Sequence, residues 1–289
     1  MRELHKRLLK QTAEMAEQGA FGDSIKMARE EYRELPPGIA VLLKTVIDAY
    51  SDGRALGEEI LRMRDLFTQL IVVAYRDAAR IDQQVALALA HSFIEDYPGV
   101  KLSCIAPQFC ALLQAALAFR EVGSSTSSTL VWQQMSRMVH TYNEFLCGLM
   151  GFMIPCLRIA RGQPADTRVF SMPYSARIEQ MNSLTGGEDG AFYLISRLAK
   201  PRIRNAIAHG SAWVDSHTAK VYYTDGGREK QEYELDLQEF ALLAMTGSHL
   251  VQPYLAAIGT IAVMEDGSDL AKALLPKHLQ GLFLFRGKT

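Results

Sequence analysis

Between Arg202 and Gly210 the chain sets Arg204, Asn205 and His209 within six consecutive positions. An always-charged guanidinium beside an imidazole that titrates near neutral pH is a pair able to act on a phosphodiester. The guanidinium would stabilise charge developing on phosphate oxygens, and the imidazole would accept and return protons. The run is rich in alanine, opens with Pro201 and is followed by Gly210. Proline suits the first turn of a helix, the residue before it is pushed out of helical geometry, and glycine suits the left-handed position that closes one. A short, separate helix is therefore predicted over Pro201–His209, with His209 in its last turn beside backbone carbonyls that attract a cation. On that helix Asn205 and His209, four residues apart, share a face and can hydrogen-bond. Arg204 projects about 100° to one side of Asn205.

Arg197, Lys200 and Arg202 add three cations just ahead of this group with no acid among them, a candidate RNA-binding patch. Downstream, Trp213, Tyr222 and Tyr223 offer rings on which unpaired bases can stack. Each feature also has a plainer role: ordinary surface charge for the cations, hairpin packing for the rings, and helix capping for His209. No metal and no organic cofactor is expected. The other histidines (His5, His91, His140, His217, His249 and His278) lack ligand spacing, and no P-loop, dinucleotide or G-x-S-x-G fingerprint occurs.

The elements that must hold these residues read as almost wholly helical. Apolar residues recur at helical spacing over Leu4–Ala20, Ile25–Leu35, Ile39–Tyr50, Leu56–Ala79 and Val85–Tyr97. Turn signals separate them at Gly22-Asp23, Pro36-Pro37-Gly38, Ser51-Asp52-Gly53 and Pro98-Gly99. The small polar stretch Gly123–Thr129 is either a domain boundary or an exposed loop. Taken as a boundary, it divides an all-helical N-terminal region of unassigned role (residues 1–125) from a second domain (126–289). In the second, a long buried helix over Leu130–Arg161, kinked near Pro155, precedes helices near Ser175–Leu184 and Ala191–Ala199. Lys220–Thr224 and Glu232–Leu235 alternate in polarity around Asp225-Gly226-Gly227, which predicts a β-hairpin near 219–235. Asp236 and Glu239 suit a capping box for a last long helix, Leu237–Met264. The tail Leu282–Arg286 reads as a strand or docking segment. The fold class expected is mainly α: a helical bundle with a small β-hairpin insertion, preceded by the all-helical N-terminal region.

Composition narrows the function. In 289 residues, 48% hydrophobic and 22% charged content describes a soluble globular chain with ample core. A net charge of −1 gives no general attraction to nucleic acid, so any RNA binding must come from a local patch. Cys104, Cys110, Cys147 and Cys156 form no C-x-x-C pair and read as reduced thiols. The start, Met1–Lys6, lacks an apolar signal core, and a cytoplasmic location is expected. Phe240–Met264 carries no Asp, Glu, Lys or Arg and exceeds the ~20 residues of a bilayer span. Its polar load (Thr246, Ser248, His249, Gln252 and Thr260) and Pro253 favour a kinked core helix instead, with no membrane partner.

Arg204-Asn205-x-x-x-His209 resembles the R-N-x-x-x-H signature of HEPN-domain proteins, particularly the ribonucleases of abortive-infection and toxin–antitoxin systems. The order of helices, glycine-ended signature, hairpin and helix is similar as well, and the resemblance covers only the second half of the chain. It implies a HEPN-like helical bundle and a metal-independent endoribonuclease acting by attack of the 2′-hydroxyl, as a toxin or effector in antiviral defence. Arg204, Asn205 and His209 would then be catalytic. HEPN domains dimerise with two signatures facing each other, so the resemblance implies a homodimer with a composite site. The rival expectations are a non-catalytic dimerisation or RNA-binding module, and a partner of an antitoxin or nucleotidyltransferase.

Overall fold

The computed structural model describes residues 24–51, 57–122, 127–224 and 231–283. The expected helix Leu4–Ala20, most of the Gly123–Thr129 stretch, the Asp225-Gly226-Gly227 turn and the end of the tail lie outside these residues. The protein is mainly helical, 73% helix against 6% strand. It divides into two compact units. One takes the described residues of Met1–Ala106, Phe152–Thr167 and Gln252–Thr289; the other takes Pro107–Gly151 and Arg168–Val251.

In the first unit, α1 (Ser24–Glu31), α2 (Pro37–Ser51), α3 (Glu58–Ile81) and α4 (Gln83–Ala90) follow one another. The buried positions of α3, among them Phe67, Leu70, Ile71, Ala74, Tyr75 and Ala78, recur every three or four residues and form one apolar face. Further along the chain come α5 (Ala106–Arg120), the long α6 (Ser128–Ala160), and, beyond the second unit, α11 (Val251–Asp266), α12 (Asp269–Leu274) and α13 (Lys277–Gly281). Leu35, Ile39, Leu43 and Val46 pack with Val263, Leu275 and Leu279 in one buried cluster. The backbones of α2 and α11 approach closely: a Cβ on Gly259 would lie 2.9 Å from the Leu42 carbonyl oxygen and 2.8 Å from Val46 Cγ2. Asp65 on α3 accepts hydrogen bonds from Tyr50 (3.0 Å) and Gln69 (2.8 Å), and His278 Nε2 of α13 lies 3.1 Å away.

The second unit is built on α6, whose buried residues Met138, Val139, Tyr142, Phe145, Leu146, Leu149 and Met150 make a continuous helical stripe. Phe145 meets Phe109 of α5 at 6.1 Å between ring centroids, and Trp132 stacks on Phe240 at 5.0 Å. After α7 (Tyr174–Thr185), α8 (Tyr193–Leu198) and α9 (Pro201–Ala208) comes a three-stranded antiparallel sheet, β1 (Ala212–Asp215), β2 (Lys220–Thr224) and β3 (Glu232–Asp236). The hairpin expected from the sequence is thus extended by β1, which pairs Trp213 with Tyr222. Val221, in the middle strand, is buried, and α9 packs on β1 and β2.

The expected Leu237–Met264 helix is two helices, α10 (Leu237–Ser248) and α11. The break falls at His249-Leu250, and Pro253 sits in the first turn of α11, where its missing N–H costs nothing. The capping box does not form: Asp236 is the last residue of β3 and makes no side-chain cap, while the Leu237 N–H donates to Ala219 O. Among the described residues one helix, α6, is long and apolar enough to cross a membrane, and 67% of its most apolar window is buried. Gly259→Ala is expected to cost about 1–3 kcal/mol, because the Leu42 carbonyl and the stiff, β-branched Val46 side chain both block the new methyl. Urea unfolding of the full chain measures it; an unchanged midpoint would contradict the close approach.

Candidate functional site

Two anchors hold α9. Lys200 leaves helical geometry (φ −127°, ψ 71°) ahead of Pro201, as expected of a residue before proline. Its N–H donates to Asn143 Oδ1 at 2.6 Å. Asn143 is fully buried on α6, donates from Nδ2 to Val139 O (2.8 Å), and accepts from the Tyr174 hydroxyl (3.2 Å). At the other end the helix closes with Gly210 at φ +65°. Gly210 N–H donates to Ile207 O and Ser211 N–H to Ala206 O, a paired closure that satisfies two terminal carbonyls. Ser211 then ties this end to β2: its Oγ donates to Thr224 O at 3.0 Å, and its carbonyl accepts from Thr224 N–H at 3.1 Å. Between the anchors Ile203 and Ala206 are buried.

Arg204 turns toward α6 and is 21% exposed. Its Nε lies 3.1 Å from Glu144 Oε1, an ion pair without a well-aligned N–H bond. Its Nη1 donates to Asn205 Oδ1 at 2.9 Å, and its Cζ lies 5.4 Å from the centre of the Tyr174 ring. Below it, burial pushes the Cys147 thiol up, against the pull of the Arg177 and Arg204 guanidiniums. Burial likewise holds the Tyr174 phenol well above its ordinary range. Both groups are therefore protonated at neutral pH, and Cys147 is not a ready nucleophile. Arg177, 8% exposed, donates to the carbonyls of Cys147, Phe170 and Met172.

His209 is the C-terminal cap of α9 (φ −95°, ψ 6°), and its N–H donates to Asn205 O at 3.0 Å. The residue is exposed, and among the described residues its ring has no hydrogen-bond partner. The side-chain bond expected between Asn205 and His209 is not made, since Arg204 has taken the Asn205 oxygen. Five residues apart on a helix, Arg204 and His209 project about 140° from one another. One copy of the chain thus presents a braced guanidinium and a free imidazole on different aspects of the same short helix.

Of the three cations ahead of the signature, Arg197 and Arg202 are exposed and Lys200 is half-buried. Arg202 lies over the Tyr233 ring at 4.9 Å. Lys200 and Arg202 border a cavity of about 540 Å³. Glu179, Glu234 and Glu239 border it too, so the fold mixes acids into a patch that is purely basic along the chain. The downstream rings pair with one another: Trp213 stacks on Tyr222 (5.9 Å) and Tyr223 on Tyr233 (5.4 Å). Among the described residues no group of three or more His, Cys, Asp or Glu could hold a metal ion.

Asn143, Glu144, Tyr174 and Ser211 went unnoticed in the sequence. A lone polar residue inside the apolar stripe of α6 was the one available signal for Asn143. Comparison with protein-family models, with curated proteins and with solved structures finds no match. Asn143→Leu strands the Lys200 N–H and the Tyr174 hydroxyl, at an expected cost of roughly 2–4 kcal/mol in urea unfolding. Hydrogen exchange at the Lys200 amide should speed up in the same variant. Wild-type stability and exchange would show that Asn143 does not brace the helix.

Proposed function

We propose that the protein is a metal-independent endoribonuclease of HEPN type, a toxin or effector in antiviral defence acting in the cytoplasm, with its site assembled from two copies. The observation that carries this reading is the division of labour on α9. Arg204 is held by Asn205, Glu144 and Tyr174, while the His209 ring stands in solvent with no partner among the described residues. A braced guanidinium suits charge stabilisation, because it needs no reorganisation when the phosphorane forms. An unengaged imidazole suits proton transfer, because no group among the described residues competes for it. Their separation of about 140° favours a guanidinium from one copy working with an imidazole from the other across a two-fold axis. His209 would take the 2′-hydroxyl proton, the oxygen would attack phosphorus, and the 5′-oxygen would leave with a proton from the second copy's His209. The products are a 2′,3′-cyclic phosphate and a 5′-hydroxyl.

A second reading, a non-catalytic RNA-binding or dimerisation module, is favoured by one specific feature. The interactions of Arg204 with Glu144, Tyr174 and Asn205 are those of a structural residue.

Single-stranded RNA incubated with the protein in EDTA separates the two. Cleavage leaving cyclic phosphate ends is expected, with His209→Ala lowering the rate on the order of 10²–10⁴-fold at unchanged stability. Arg204→Ala should lose activity and about 1–3 kcal/mol of stability together. Mixing the two inactive variants should restore a small part of the rate, since a mixed dimer regains one Arg204 and one of the two imidazoles. RNA binding without cyclic ends would favour the module, and cleavage surviving His209→Ala would remove the imidazole from the mechanism.

A further inference from the structure

The 540 Å³ cavity at the N-terminal end of α9 falls within the usual size range of small-ligand pockets. Its lining combines three kinds of chemistry. Ile178, Leu235 and Leu243 supply apolar wall, and Tyr223 supplies a ring. Glu179 and Glu239 are exposed carboxylates that, among the described residues, have no hydrogen-bond or ion-pair partner. The third carboxylate, Glu234, is bound by Lys220. Lys200 and Arg202 stand on the α9 side. The ligand that answers all three features has flat apolar faces, adjacent N–H donors on one edge, and a phosphate.

We propose that this cavity is a guanine-recognition subsite for the RNA strand, a refinement that rests on the endoribonuclease reading. A carboxylate accepts two hydrogen bonds side by side, and it carries no donor. Among the four RNA bases, guanine alone presents an imino N–H beside an amino group. Adenine and cytosine set a bare ring nitrogen next to their amino group, which a carboxylate repels, and uracil flanks its single N–H with two carbonyls. The base is read on its Watson–Crick edge while its faces meet apolar and aromatic wall, the usual arrangement for unstacked nucleotides. Lys200 and Arg202 meet the adjoining phosphate. Arg202 and His209 are about 10 Å apart along the helix axis, so the recognised base is a neighbour of the cleaved bond.

Calorimetric titration of the full-length His209→Ala protein with GMP, AMP, CMP and UMP tests this without cleavage. His209 does not line the cavity, so the variant leaves it intact. GMP is expected to bind roughly ten- to a hundredfold more tightly than the other three, the discrimination of one bidentate contact. The double variant Glu179→Gln/Glu239→Gln should erase that preference while circular dichroism stays native. Equal binding of all four, no GMP binding, or a preference that survives the double variant would overturn the proposal. Mapping wild-type cuts on a mixed-sequence RNA places the subsite: guanosine at a fixed position beside the cut supports it, and scattered cuts despite GMP preference overturn it. GMP preference with no RNA cleavage at all would instead discard the nuclease reading and leave a guanine-nucleotide site.

Discussion

The carboxamide of Asn143 is the contact on which the geometry of the signature helix depends. A helix of eight residues has too few internal hydrogen bonds to persist in water by itself. It exists here because its ends are fixed from outside. The buried amide oxygen holds the Lys200 N–H, so the backbone turns out of helical geometry there and Pro201 begins afresh. The same oxygen receives the Tyr174 hydroxyl, and the Tyr174 ring in turn faces the Arg204 guanidinium. One side chain therefore sets both where the helix starts and what Arg204 rests against. At the far end Ser211 joins helix closure to the sheet, and His209 stands immediately before that junction.

How much of this was readable from the chain depends on whether the cause was local. The start and stop of α9 were legible because Pro201, Lys200 and Gly210 act within a residue or two of themselves. The β2–β3 pair was legible from alternation and its turn residues. The first strand was not, because the four residues Ala212–Asp215 are strand only through pairing with β2. Asp236 and Glu239 have the right spacing for a capping box, yet strand pairing claims Asp236, so tertiary structure overrides the local signal. In the site, Arg204 and His209 could be named from their types and spacing. What Arg204 touches outside its own helix could not be, since Glu144 and Tyr174 lie on other helices, some sixty and thirty residues earlier. The same limit explains Asn205, whose oxygen goes to its neighbour and not to the helix-face partner four residues on.

Charge shows the same effect of distance along the chain. Arg197, Lys200 and Arg202 make a basic stretch in sequence, but α7, β3 and α10 bring Glu179, Glu234 and Glu239 to the cavity that Lys200 and Arg202 border. The surface at the start of α9 is therefore patterned in sign. A uniformly positive face attracts any polyanion, whereas an alternating one rewards only ligands whose own donors and acceptors match it.

Arg177 extends that electrostatic picture inward. It is nearly sequestered, and among the described residues it has no carboxylate partner; its bonds go to three backbone carbonyls. Carbonyl dipoles stabilise a guanidinium without cancelling its net charge, and the poorly polarisable interior screens that charge weakly. A permanent unit of positive potential thus lies under Cys147, on the side of α6 that Arg204 also faces. An anion approaching Arg204 would meet a guanidinium already paired with Glu144 and the uncompensated charge of Arg177 embedded behind it, and salt in the surrounding buffer would damp the exposed pair far more than the embedded cation.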